Sequence, residues 1–242
     1  MIKTRMFQTL LLEKFDRALI VTLNRPHVRN AMNLEMCKEL TAVFNSLRHD
    51  EATHAVILNG TGQSFCAGID VKEFGSQNTE WQLDRRNAGL NLYLTIENAE
   101  IPTAAVVHGS VIGAGCELML SCDFSIAAQQ STFQWPEGII GAVGATQRLP
   151  RLVGKSIARD LLFTCRTVSA REALDYGFIS RLTSGEGPND AAQALVEEFS
   201  RTNPNTIRWM KHAMRLGNHL DSAQATEIER MCIQLSSLNP SS

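Results

Sequence analysis

The chain has 242 residues, 44% of them hydrophobic, with 23 Lys and Arg against 25 Asp and Glu for a formal net charge of -2. That is enough apolar material for one domain with a real core and a small helical appendage, and it excludes a disordered or fibrous chain. Basic residues are spread along the sequence rather than clustered, so no nucleic-acid footprint is expected, and no apolar run approaches the roughly 18 residues of a membrane span.

The start, MIKTRMFQTLLLEKF, is basic and free of acid until Glu13, a faint targeting signature, but its Phe7 to Phe15 portion reads better as a strand. Ala18 to Asn24 is a second β-rich run across Asp16-Arg17, which predicts an opening hairpin. Asn33 is a good N-cap, and Met36, Leu40, Val43, Phe44 and Leu47 recur at helical spacing to about His49. Ala55 to Asn59 predicts a short strand stopped by Gly60-Thr61-Gly62, with Ser64-Phe65-Cys66-Ala67-Gly68-Ile69-Asp70 as a loop entering Val71-Lys72. A polar helix is expected from Thr79 to Asn98, then a fully covered strand from Thr103 to Val107, a short helix after the Gly113 to Gly115 turn, and a strand from Phe124 to Ala127. Strands alternating with helices imply a parallel sheet in a layered α/β domain. Ser169-Ala170-Arg171-Glu172 is a capping box for a helix that Gly177 can close, with a last strand expected over Phe178 to Leu182. A linker at Ser184 to Asn189 leads to amphipathic helices over Ala191 to Ser200, Asn205 to Leu216 and Ser222 to Leu235.

Within Pro102 to Arg148 two glutamates keep apolar company. Glu117 lies in Val111-Ile112-Gly113-Ala114-Gly115-Cys116-Glu117-Leu118-Met119-Leu120, and Glu137 follows Phe133-Gln134-Trp135-Pro136. No Lys or Arg lies between them, and burial without a partner would raise both pKa values and suit them to proton transfer. Glycine-flanked strand-to-helix turns at Ala67-Gly68-Ile69-Asp70 and at Gly113-Ala114-Gly115 leave backbone N–H groups free to point at one oxygen. Each feature also has an ordinary reading: Asp70 as a helix cap, Glu117 as an exposed helix residue, Glu137 as a first-turn acid. Their combination favours a catalytic site.

Other chemistries fit less well. Gly113-x-Gly115-x-x-Leu118 lacks the third glycine of a dinucleotide fingerprint, and neither a Gly-x-Ser-x-Gly elbow nor a Walker loop occurs. Cys37, Cys66, Cys116, Cys122, Cys165 and Cys232 form no Cys-x-x-Cys pair, so buried free thiols in a reducing compartment are expected and no metal site. The cytoplasm suits this best, with the mitochondrial matrix and peroxisome left open.

Ser64 to Asp70, Gly113-Ala114-Gly115-Cys116-Glu117-Leu118 with Cys122-Asp123, Pro136-Glu137 and Thr146-Gln147-Arg148-Leu149 resemble, in order and spacing, the signatures of the enoyl-CoA hydratase/isomerase (crotonase) superfamily, from about Phe7 to Leu235. The resemblance implies an α/β fold, a crotonase-like spiral of ββα units over residues 1–187 followed by a helical C-terminal region over 188–242, assembled as a homotrimer or dimer of trimers. It also implies that the N–H groups of Ile69 and Ala114 hold an acyl-CoA thioester oxygen and that Glu117 and Glu137 are the catalytic pair. By the same resemblance His27, Arg29, Ala31, Ala67, Gly68, Asp70, Lys72 and Gly113 line the substrate and its coenzyme A, with no cofactor beyond the CoA of the substrate. His27 stands where hydratases often have lysine, the Glu137 to Thr146 loop GIIGAVGA is short, and the chain stops before the family's usual last helix. The implied reaction is hydration of a 2-enoyl-CoA. The alternatives are double-bond isomerisation, decarboxylation or C–C bond formation on the same enolate, or a non-catalytic acyl-CoA-binding role.

Overall fold

A computed structural model describes residues 7–48, 50–183 and 187–238. The hairpin of β1 (Leu10–Phe15) and β2 (Ala18–Leu23) opens the chain, paired antiparallel with Leu10 opposite Leu23. β2 then pairs in parallel with β3 (Ala55–Gly60), β3 with β4 (Thr103–Val107), and β4 with β6 (Phe124–Ala128), which pairs with β9 (Arg181–Thr183) at the far edge. A second sheet joins β5 (Ser110–Ile112), β7 (Thr132–Gln134) and β8 (Val168–Ser169).

Alternation of side chains across the pleat divides the core in two. Val21, Val56, Leu58, Ala105 and Val107 enter the large cluster with α1 (Leu34–Ser46) and α3 (Thr79–Glu97), whereas Ile20, Ala55, Ile57, Ala104 and Val106 face the other way. That second face is covered by Ala191, Ala192, Leu195 and Val196 of α8 (Pro188–Ser200). β3 is buried at every position because both of its faces are covered.

The local signals for the ends of elements hold. Asn33 caps α1 by accepting the Met36 N–H at 3.0 Å, and Ser169 with Glu172 forms the capping box of α7 (Ala170–Tyr176), closed by left-handed Gly177. The strand expected over Phe178 to Leu182 begins only at Arg181, because the Phe178 and Ile179 N–H groups still bond Ala173 O and their side chains fill the core. β7 and β8 were not predicted, and β5 was implied only by the strand-to-helix turn at Gly113; the three short strands pair with one another, with one further bridge from Val111 to Cys66, across chain separations that no local pattern reveals. Of the linker expected over Ser184 to Asn189, residues 184–186 lie outside the described residues, whereas Gly187 caps α8 and Pro188 and Asn189 already belong to it; His49, at the end of the expected first helix, also lies outside the described residues.

α9 (Pro204–Gly217) and α10 (Ser222–Leu238) pack on each other. α9 is fastened to the body by polar contacts: Arg208 to the carbonyls of Asp50 and Thr53, and Lys211 to the Ile101 carbonyl and Asp123. Met210, Met214, Leu216, Met231, Ile233, Leu235 and Leu238 on this pair are exposed. All six cysteines are free and buried, and no helix among the described residues is long and apolar enough to cross a membrane.

Candidate active site

The site forms where successive layers of the spiral meet beyond the carboxyl ends of β2 and β3. The turn after β2 runs through a short 3-10 helix, Pro26–Val28, with Arg29 and Asn30 in the left-handed region. Buried Asn30 holds the turn to the next loop by donating to the carbonyls of Thr61 and Ser64. Ala67 N–H bonds Arg29 O, Met32 N–H bonds Gly68 O, and Asp70 N–H bonds Met32 O at 3.0 Å. Parallel pairing of Met32 with Ile69 consumes the groups on either side of Ile69, so the Ile69 N–H faces away from Met32 and has no acceptor among the described residues.

Gly113 turns β5 into α4 (Ala114–Leu120) with φ +50 and ψ -111, a conformation that disfavours any side chain. Ala114 is the first helical residue, and its N–H likewise has no acceptor among the described residues. A Cβ on Gly68 would lie 3.0 Å from Ile112 O and 3.9 Å from Ala114 N, so only a glycine lets the two turns approach this closely. The two free N–H groups therefore belong to adjoining segments of backbone.

Glu117, one turn into α4, is buried. Contrary to the expectation of an unpartnered carboxylate, its Oε2 accepts from Arg148 Nη1 at 3.1 Å. Arg148 opens α6 (Arg148–Thr164) and grips Glu97 with Nε and Nη2 at 2.7 and 3.0 Å, its guanidinium 5.2 Å from the Tyr93 ring centroid. Tyr93 Oη in turn donates to Ala114 O at 3.2 Å. Burial raises the Glu117 pKa, and Arg148 opposes that rise without cancelling it. Burial alone would lower the Arg148 pKa, but the bonds to Glu97 and Glu117 outweigh it, and its pKa is raised. Glu117 Oε1 is enclosed with no hydrogen-bond partner among the described residues.

Glu137 begins the single turn of α5 (Glu137–Ile140) after Pro136. Its carboxylate is lined by glycine backbone: a Cβ on Gly113 would come within 3.1 Å of its Oε1, and one on Gly144 within 3.2 Å of its Cγ. The short 138–145 loop thus folds back onto the side chain, leaving Ile139, Ile140 and Val143 exposed. No cation pairs with Glu137 among the described residues; burial raises its pKa against only its own backbone N–H, and Oε2 is enclosed with no partner. Gly113 links the pair, since its carbonyl accepts the Glu117 N–H while its Cα abuts Glu137.

The remaining expected contacts divide into two groups. His27, Arg29 and Lys72 are exposed along the rim formed by the two loops. Ala31 and Asp70 are engaged internally: Arg25 Nη1 bonds Ala31 O at 2.6 Å and Asp70 Oδ2 at 2.9 Å, while Asp70 Oδ1 caps α2 (Val71–Gly75). Ala67, Gly68 and Gly113 contribute backbone shape. Sequence reasoning missed Arg148 as the partner of Glu117, together with Tyr93, Glu97 and Gly144. Arg148 stood in a recognised motif, but nothing local tied it to carboxylates 51 and 31 positions away.

The family model described as Enoyl-CoA hydratase/isomerase matches residues 15–237. The chain is 35% identical over 228 residues to a short-chain-enoyl-CoA hydratase of Clostridium acetobutylicum, covering 90% of this chain and 86% of that one. It is 31% identical to a crotonyl-CoA hydratase of Syntrophomonas wolfei, covering 92% and 87%. The solved enoyl-CoA hydratase of Bacillus anthracis superposes with a TM-score of 0.90 at 28% identity, over 94% of this chain and 90% of that one. With the spiral, the two glycine turns and these likenesses together, the chain belongs to the enoyl-CoA hydratase/isomerase family, as an enoyl-CoA hydratase-like lyase of crotonase fold.

Proposed function

We propose that the chain adds water across the double bond of a 2-enoyl-CoA thioester, giving the 3-hydroxyacyl-CoA. The observation that carries this is the meeting, at Gly113, of buried Glu117 and half-buried Glu137, both of raised proton affinity, with two acceptor-free N–H groups. The thioester oxygen accepts from the N–H groups of Ile69 and Ala114, which stabilise the enolate-like transition state; one such donor is worth about 3 kcal/mol. Glu117, whose charged form Arg148 favours against burial, takes a proton as water forms its bond to the β-carbon. Glu137, with no cation to favour its charge, gives its proton to the α-carbon as the double bond is consumed. Each role contributes about 10²- to 10⁴-fold.

His27, Arg29 and Lys72 on the rim suit the phosphates of coenzyme A, while Ala31, Ala67, Gly68, Asp70 and Gly113 shape the channel. This chemistry calls for no cofactor beyond the CoA of the substrate. The exposed apolar row on α9 and α10 supports assembly as a homotrimer or dimer of trimers.

Incubation with a panel of 2-enoyl-CoA thioesters, read by mass, tests the reaction. A product heavier by one water is expected. Conversion without mass change, with the double bond moved, would assign the chain to isomerisation through Glu137 alone.

A further inference from the structure

One charged group beside the site has no part in the hydration chemistry. Arg85, within α3, is 2% exposed and among the largest fully buried side chains of the protein. Its guanidinium makes one hydrogen bond among the described residues, from Nη2 to Met32 O at 2.6 Å. Among the described residues Nε is enclosed with no hydrogen-bond partner and Arg85 takes part in no ion pair. A buried cation without a counter-charge is expensive, whereas a surface arginine needs none.

No neighbouring acid forms an ion pair with Arg85 among the described residues. Asp70 binds Arg25, Glu73 Oε2 accepts the Leu34 N–H at 2.9 Å, and Glu117 binds Arg148. The thiols that share its surroundings supply no charge either, since burial raises Cys37 and pushes Cys66 up to about 12.

Position gives the group its meaning. The Met32 carbonyl that Arg85 binds also accepts the Asp70 N–H, in the strand pairing that presents Ile69. One turn along α3, Gly89 makes room for the guanidinium: a Cβ there would meet Nη1 at 3.2 Å and Tyr93 Oη at 3.8 Å. Glycine inside a helix costs about 1 kcal/mol, so this space is kept at some expense. Tyr93 Oη then reaches Ala114 O. Arg85, Gly89 and Tyr93 thus form one wall running from the backbone beside Ile69 to that of Ala114.

We propose that Arg85 is a specificity residue, and that the acyl chains taken by this site end in a carboxylate which supplies the missing counter-charge to its guanidinium. The substrates are then 2-enoyl-CoA thioesters with a terminal carboxylate in preference to methyl-ended ones of equal length. The inference rests on the acyl-CoA reading of the site, and its test separates binding from turnover.

Calorimetric Kd values of the full chain are measured for saturated CoA thioesters in matched pairs, carboxylate-ended and methyl-ended, alongside kcat/KM for the corresponding 2-enoyl-CoA pairs. A site with a desolvated polar partner in waiting discriminates strongly, so a preference of at least about 10²-fold for the carboxylate is expected in both measures. Arg85→Met should collapse that ratio, and Arg85→Lys should restore part of it. Equal or tighter binding of the methyl-ended thioester by the wild type overturns the proposal, as does an Arg85→Met protein of unchanged Tm that keeps the wild-type ratio. If Arg85→Met does not fold, the wild-type pair decides alone. Preferential binding of carboxylate-ended thioesters without hydration removes the reaction and leaves the specificity standing; hydration of methyl-ended substrates alone does the reverse.

Discussion

Glu117 and Glu137 flank one glycine, yet their surroundings differ in kind. The wall that carries Glu117 is built from α3, α4 and α6 and brings a guanidinium fastened by a second acid, Glu97, and a tyrosine ring. The wall that carries Glu137 is a four-residue turn and a loop, with backbone glycines against the carboxylate and no cation among the described residues. Burial raises both pKa values, but only Glu117 has an opposing charge. Two identical residues thus sit in different electrostatic settings, one opposite a guanidinium and one without a cation, the kind of contrast the proposed division into base and acid calls for.

The strongest test removes each carboxylate while keeping its shape. Glu117→Gln and Glu137→Gln should each lower kcat by at least about 10² with little change in acyl-CoA affinity, as steady-state kinetics and calorimetry would show. Wild-type turnover in either would end the division of labour. Next, Ala114→Pro deletes one free N–H at the first helical position, where proline is tolerated, and should reduce kcat by about 10² through the loss of roughly 3 kcal/mol. Ala114→Gly keeps the donor and should be mild, and unchanged melting of both proteins makes the pair interpretable.

Arg148→Met attacks the contrast itself. Without the guanidinium the Glu117 pKa climbs further, so the acid limb of kcat/KM should move to higher pH and activity near neutrality should fall about 10-fold. A pH profile identical to wild type would show that Arg148 serves packing alone. On the other wall, Gly144→Ala pushes a methyl to 3.2 Å from Glu137 Cγ. A misplacement of a few tenths of an ångström should cost several-fold in kcat, about 10-fold at most, with KM little changed.

The smallest effect is on stability. A carboxylate whose folded pKa lies above its ordinary 4.5 makes the fold bind protons more tightly than the unfolded chain does. The stability it contributes is full below that value and is lost as pH rises through the folded pKa. Glu137→Gln should therefore melt slightly higher than wild type at about pH 8 and converge with it near about pH 4. The gain should be less for Glu117→Gln, which also strips Arg148 of a partner. Melting curves across that range would reveal a reversed order.

Much of the fold was legible because its signals are local. Caps at Asn33 and Ser169, the opening hairpin and the covered strand at Thr103–Val107 depend on neighbours within a few residues. β7 and β8 were not, and β5 was implied only by the turn at Gly113, since strands of two or three residues carry no periodicity and exist only by pairing at long range.

The same boundary runs through the site. Glycines at 68 and 113 and the two glutamates could be read as candidates because turn chemistry and apolar context are written in the sequence itself. Which glutamate has a cation, which N–H groups lack acceptors and which arginine is sealed without an acid were decided only in three dimensions. Arg148 meets Glu97 and Glu117, and Arg85 meets Met32, across 31 to 53 positions of chain. Electrostatic partners and burial depend on distance through space, and only the packing of the sheets and of α3 against α4 and α6 sets those distances.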